Sequence, residues 1–152
     1  MMQGSSKRCA KTPVDLHSEC AGVLLLGGVH SALSPARSFG RKGIPVILLT
    51  DDHQLPRLSR YVRRSFRWPG AHTTHADTWL VKFATDHGLQ NWLLIPCADP
   101  DVRFVAENLN SLATIFKLNC PDWTVLQRVC DKQLLAQTAA NAGVAFPKNM
   151  PT

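Results

Sequence analysis

Three short runs, "AGVLLLGG" from Ala21, "IPVILLT" from Ile44 and "NWLLIPC" from Asn91, are free of charged residues, and helix-patterned text lies between them. A strand with one face in water alternates apolar and polar side chains. A strand that is apolar throughout is buried on both faces, as in a parallel sheet covered by helices on each side. Parallel neighbours need long crossovers, and the intervening text supplies them. "SPARSFGRKG" reads as a helix with Ser34 as N-cap, Pro35 at the first helical position and Gly43 just past the end. "THADTWLVKFATDHG" reads as another, with Thr74 and Asp77 in a capping-box-like start, Leu80, Phe83, Ala84 and His87 on one face, and Gly88 as terminator. "DPDVRFVAENLNSL" opens with Asp99 as N-cap and Pro100 in the first turn, and Val102, Val105, Ala106, Leu109 and Leu112 recur at helical spacing. "RSFRW", stopped by Pro69-Gly70, and "ATIFKLN" add two shorter strands. The expected fold is α/β, a Rossmann-like three-layer sandwich with a mainly parallel sheet of about five strands.

The 152 residues suit one domain, long enough to bury roughly 70% of the surface that the unfolded chain exposes. No apolar run approaches the ~20 residues of a membrane span, and the N-terminus lacks the apolar stretch of a secretory signal. Cys9, Cys20, Cys97, Cys120 and Cys130 show no metal-type spacing, so reduced, mostly buried thiols and a cytoplasmic setting are expected. Residues 1–20 are polar and aperiodic and read as a mobile lead-in to a domain over residues 21–130. The net charge of +6 owes much to "RLSRYVRRSFR", which holds Arg57, Arg60, Arg63, Arg64 and Arg67. Such arginines grip a carboxylate or phosphate, bind nucleic acid, or form a charged sheet edge that discourages aggregation. The last reading suits most of them. No RNA-binding or helix-turn-helix pattern accompanies them, which argues against nucleic acid.

Gly27 and Gly28 end the first strand just before a helix. Backbone N–H groups and the positive helix end make that crevice attractive to a carboxylate or phosphate; the plainer reading is a tight turn that needs glycine. "GGVHSA" lacks the GxGxxG spacing, so even with Asp51 and Asp52 after the second strand a small-molecule substrate is preferred to NAD. His30 lies in the same loop, either donating to a bound carboxylate or merely solvated. Asp99 follows the fourth strand, where ligands of open α/β sheets bind, and the capping role is compatible with contact. His72 and His75 lack a third ligand at suitable spacing, so no metal site is expected. Trp79, Trp92 and Trp123 read as core or interface packing.

Taken together, "VLLLGG", "ARSFGRKGIPVILLTDD", "SRYVRR", "PCADPDVRFVAENLNSL" and "CDKQLLAQTAANAGVAFPK" resemble the N-terminal domain of ATP-grasp ligases, the part preceding the ATP-binding grasp. "SRYVRR" is most similar to a group of predicted carboxylate-amine ligases of unassigned substrate. The resemblance runs from about Ala21 to Pro147. It implies that ATP and Mg²⁺ are held by further subdomains, that an acyl phosphate forms on a carboxylate, and that an amine displaces it. It also implies that Arg60, beside Ser59, contacts substrate and that Lys132, opening the hinge helix, reaches the phosphates of ATP. Residues 131–152 then form a hinge helix and the start of a linker, with Asp131 as N-cap, an apolar face of Leu134, Leu135, Ala139 and Ala142, and a Schellman-type exit at Gly143 and Val144. The expected partners are a small carboxylate or amine, the grasp domain itself and a second copy packed on the uncovered junction. No catalytic residue and no tightly bound cofactor is expected within the chain. Two alternatives stay open, a stand-alone nucleotide- or dinucleotide-binding domain and a basic module for an acidic partner.

Overall fold

The computed structural model describes residues 22–28, 30–50 and 59–145. The lead-in, Asp51, Asp52, Arg57, Cys9, Cys20 and the linker after Ala145 lie outside the described residues. The three apolar runs form β1 (Val23–Leu26), β2 (Val46–Thr50) and β4 (Leu93–Pro96), and the two shorter strands are β3 (Arg64–Arg67) and β5 (Lys117–Leu118). Every pairing is parallel, in the order β3-β2-β1-β4-β5. Val23 aligns with Val46 on one side and with Leu93 on the other. The chain therefore travels outward from β1 to β3, then returns past β1 to build the other half. Its direction reverses between β1 and β4.

Helices α1 (Leu33–Arg41), α2 (Ala76–Asp86), α3 (Asp99–Glu107) and α4 (Leu109–Leu112) supply the outer layers, completing the expected Rossmann-like sandwich. Strand alternation sorts the side chains between two cores. Leu24, Leu26, Ile47, Leu49 and Leu94 pack with Leu80, Phe83, Phe104, Val105 and Leu112. Val23, Leu25, Val46 and Leu48 pack with Ala32 and Ala36 of the α1 side. Each fully buried leucine contributes about 1.5–3 kcal/mol relative to exposure, so the central strands dominate the stability. Leu93 and Ile95 of β4 are only half-buried, so that strand is less enclosed than an unbroken apolar run predicts.

Several helix starts differ from the expectation. Ala32, fully buried, is the N-cap of α1, which places Ser34 and Pro35 inside its first turn, where a missing N–H is tolerated. His75 in a left-handed conformation, not Thr74, precedes α2, because burying Ala76 sets the entry. Ala98 in extended conformation precedes α3, so Asp99 and Pro100 are its first residues and Asp99 makes no capping bond. The long helix read from residue 99 is interrupted at Asn108, whose side-chain amide donates to the Phe104 carbonyl at 2.8 Å and competes with the helical ladder. "ATIFKLN" contributes only two strand residues.

The exits conform to expectation. Gly43 and Gly88 lie at the ends of α1 and α2. The closing pair is α5 (Trp123–Cys130), which sequence reading missed, and α6 (Lys132–Asn141). Asp131 caps α6, accepting from the Gln133 and Leu134 N–H groups at 2.7 and 3.1 Å. The Gly143 and Val144 N–H groups donate to Ala140 and Ala139, completing the Schellman exit. Neither α5 nor α6 contains a buried residue.

Candidate functional site

Carboxyl ends of parallel strands are where an open α/β sheet leaves a crevice, at the point where strand order reverses. Here a cavity of about 570 Å³ opens at that place, lined by Gly27, Gly28, His30 and Ser31 after β1 and by Cys97 to Asp101 after β4. Trp68, Gly70, Ala71 and His72, following β3, complete the wall.

A buried polar contact braces the wall. Trp68, 2% exposed, donates its indole N–H to Oδ1 of Asp101, 5% exposed, at 3.0 Å. The indole is wedged between Trp79 and Phe104, with ring centroids 5.4 and 5.6 Å away. Burying the carboxylate is tolerable because it is hydrogen-bonded. The other carboxylate oxygen lies over Gly27, where a Cβ would come within 1.8 Å of it. Gly28 also faces Cys97 closely, its imagined Cβ 2.6 Å from the Cys97 Cβ. The Ser31 hydroxyl donates to the Cys97 carbonyl at 2.5 Å and ties the two loops together.

Burial, reinforced by the Asp101 carboxylate, pushes the Cys97 thiol up to about 11, although a backbone hydrogen bond involving Leu26 acts in the opposite sense. The thiol is therefore protonated at neutral pH and is no nucleophile. All three described cysteines are free; Cys97 and Cys120 are partly buried and Cys130 is exposed, so the expectation of mostly buried thiols fails at Cys130.

The structure brings Gly27, Gly28, His30 and Asp99 to one cavity. It does not bring Arg60 there. Arg60 precedes β3 and so sits toward the amino ends of the strands, opposite the crevice. Its guanidinium donates to the Tyr61 hydroxyl at 2.8 Å and lies 4.9 Å from that ring's centroid. Arg60, and after it Arg41, holds the Tyr61 hydroxyl below the ordinary tyrosine range. Lys132 is the exposed first residue of α6 and does not line the cavity. One detail of the anion reading is corrected: the Gly27 N–H is taken by the Leu49 carbonyl at 2.8 Å, inside the sheet.

Trp68, Ser31, Cys97 and Asp101 escaped sequence reasoning as parts of the site. Trp68 and Asp101 are 33 residues apart, and only the parallel order of β3, β2, β1 and β4 brings them together. Among the described residues there is no group of three or more metal-ligating side chains and no helix long and apolar enough to cross a membrane.

No protein-family model matches the chain, and no curated protein does. Solved structures match its fold. An L-amino acid ligase from Bacillus licheniformis superposes with a TM-score of 0.61 at 15% identity, over 83% of this chain and 31% of that one. The biotin carboxylase domain of a single-chain bacterial carboxylase gives 0.55 at 16% identity, over 84% and 30%. A multifunctional pyruvate carboxylase from Rhizobium etli gives 0.54 at 14% identity, over 84% and 13%. The chain thus spans less than a third of each of these proteins. The resemblance to the leading domain of ATP-grasp enzymes is met at the level of fold.

Proposed function

We propose that the chain is the leading, substrate-side domain of an ATP-dependent ligase of the ATP-grasp type, in which an acyl phosphate formed on a carboxylate is displaced by an amine or thiol. The observation that carries this reading is the cavity between β1 and β4, set in a fold shared with a ligase and two carboxylases. The domain's part in the reaction is to form one wall of the reactant site. Gly27 and Gly28 let the chain pass close beneath Asp101 and Cys97, Ser31 fixes the loop spacing, and Asp99 and His30 stand at the cavity lining. Lys132, at the start of α6, reaches toward ATP held by a following domain. ATP and Mg²⁺ would supply activation of the carboxylate, and no residue of the cavity wall is assigned to hold them. The setting is cytoplasmic.

The experiment is ADP release by the longer gene product with panels of small acids and amines. Turnover is expected from that product and not from the 152-residue chain alone. In the longer product, Asp99→Asn is expected to raise KM for one reactant with little change in kcat, the mark of lost binding equal in ground and transition states. An Asp99→Asn variant with unchanged KM for every reactant would remove this cavity from the reaction.

A further inference from the structure

Helix α1 carries an unbalanced charge. Its sequence, LSPARSFGR, contains no acid, and Arg37 and Arg41 stand four residues apart, where like charges are neighbours on the helix surface and repel. The negative end of the helix accommodates Arg41 in the last turn; Arg37, in mid-helix, gains little from it. Both line a groove of about 540 Å³ along α1, together with His30, Leu33, Ser34 and Ser38. A third cation is brought up beside them. A Cβ at Gly40 would stand 2.5 Å from the Tyr61 Cβ, so Tyr61 rests directly on the last turn of α1. The Arg60 guanidinium, 2.8 Å from the Tyr61 hydroxyl, and the Arg41 side chain then share that one neutral oxygen. Among the described residues the ion pairs are Lys82–Asp86 and Arg103–Glu107, so no carboxylate there balances Arg37, Arg41 or Arg60.

We propose that the α1 groove binds a small phosphorylated molecule other than a nucleotide, with Arg37 and Arg41 gripping the phosphate, Ser34 and Ser38 donating their hydroxyls, and Arg60 adding positive charge from the Tyr61 side. A phosphate group presents three acceptor oxygens and nearly two charges, enough for two guanidinium forks and a hydroxyl, where a carboxylate offers two oxygens and one charge. Among the described residues no aromatic side chain lines the groove, so a base has no platform to stack on, which argues against a nucleotide and against single-stranded nucleic acid. The groove shares only His30 with the cavity between β1 and β4, and the proposal does not rest on the ligase reading.

The test is a ¹H–¹⁵N correlation titration of the chain at neutral pH with sodium pyrophosphate and, separately, with sodium chloride at matched ionic strength and with a short oligothymidylate. Saturable shifts of the Ser34, Ser38 and Arg41 amides with pyrophosphate are expected, half-complete at about 1 mM, as a few exposed ion pairs supply, and none with chloride. Arg37→Gln and Arg41→Gln should each weaken pyrophosphate binding roughly twofold to fivefold, the range of an exposed ion pair. Arg41→Lys keeps the charge but loses the fork, and should weaken it too. Arg128→Gln, on α5, should leave it unchanged. All three arginines are exposed, and unchanged peak dispersion elsewhere verifies that each variant is folded. Shifts that do not saturate, full binding by Arg41→Lys, weakening by Arg128→Gln equal to that of Arg37→Gln, or tighter binding of oligothymidylate than of pyrophosphate overturns the proposal.

Discussion

Gly27 satisfies two requirements that no other residue meets together. Its φ of +67° is unfavourable for residues with a Cβ, and the Asp101 carboxylate fills the space where that Cβ would stand. Gly27→Ala is therefore expected to destabilise the chain by roughly 2–5 kcal/mol, the sum of left-handed strain and overpacking, measured by urea denaturation. Cys97 gives the pH counterpart. Its folded-state value of about 11 lies above that of a free thiol, so between the two the folded chain keeps a proton that the unfolded chain releases. Its contribution to stability is full below the ordinary thiol value and is lost as pH rises toward about 11. A urea midpoint that falls between about pH 8 and pH 10.5 in the wild type, and falls less in Cys97→Ala, is the expected result. At this scale the sequence was partly legible. Asp99 was legible because it adjoins a strand end, whereas nothing in the sequence separates Asp101 from any other acid in a first helical turn; its bond to Trp68 does so in the fold.

The strands were legible as elements because burial on both faces leaves an unbroken apolar run. The Asp131 cap of α6 was legible too, but the starts of α1 and α2 were not, because burying Ala32 and Ala76 against the core outweighed the capping preferences of Ser34 and Thr74. Helix α5 was missed although Pro121-Asp122 announces it, with the Asp122 carboxylate accepting from the Val125 N–H at 3.1 Å. The α5–α6 pair has no buried residue and leaves Val125, Val129, Leu134 and Val144 exposed, so capping weighs heavily in its stability. Asp131→Ala is expected to lower the local stability of α6 by about 1 kcal/mol, read as faster amide exchange at Gln133 and Leu134, with little change in the global urea midpoint. Equal protection in variant and wild type would contradict that account of the cap.

For the molecule as a whole, the class of fold was legible and the order of strands was not. An apolar run records that it is buried but not which strand lies beside it. Without the order, the reversal between β1 and β4 has no address, and the role of the β3 exit in the cavity wall remains hidden. Arg60 shows the same dependence, since the match to "SRYVRR" names a residue while strand direction decides which end of the sheet it occupies. The central claim is that this domain recognises a reactant and leaves nucleotide to other machinery. Isothermal titration of the chain with ATP and with NAD, in magnesium-containing buffer, addresses it most directly. No saturable heat at micromolar nucleotide is the predicted result, and micromolar binding of either nucleotide would contradict it.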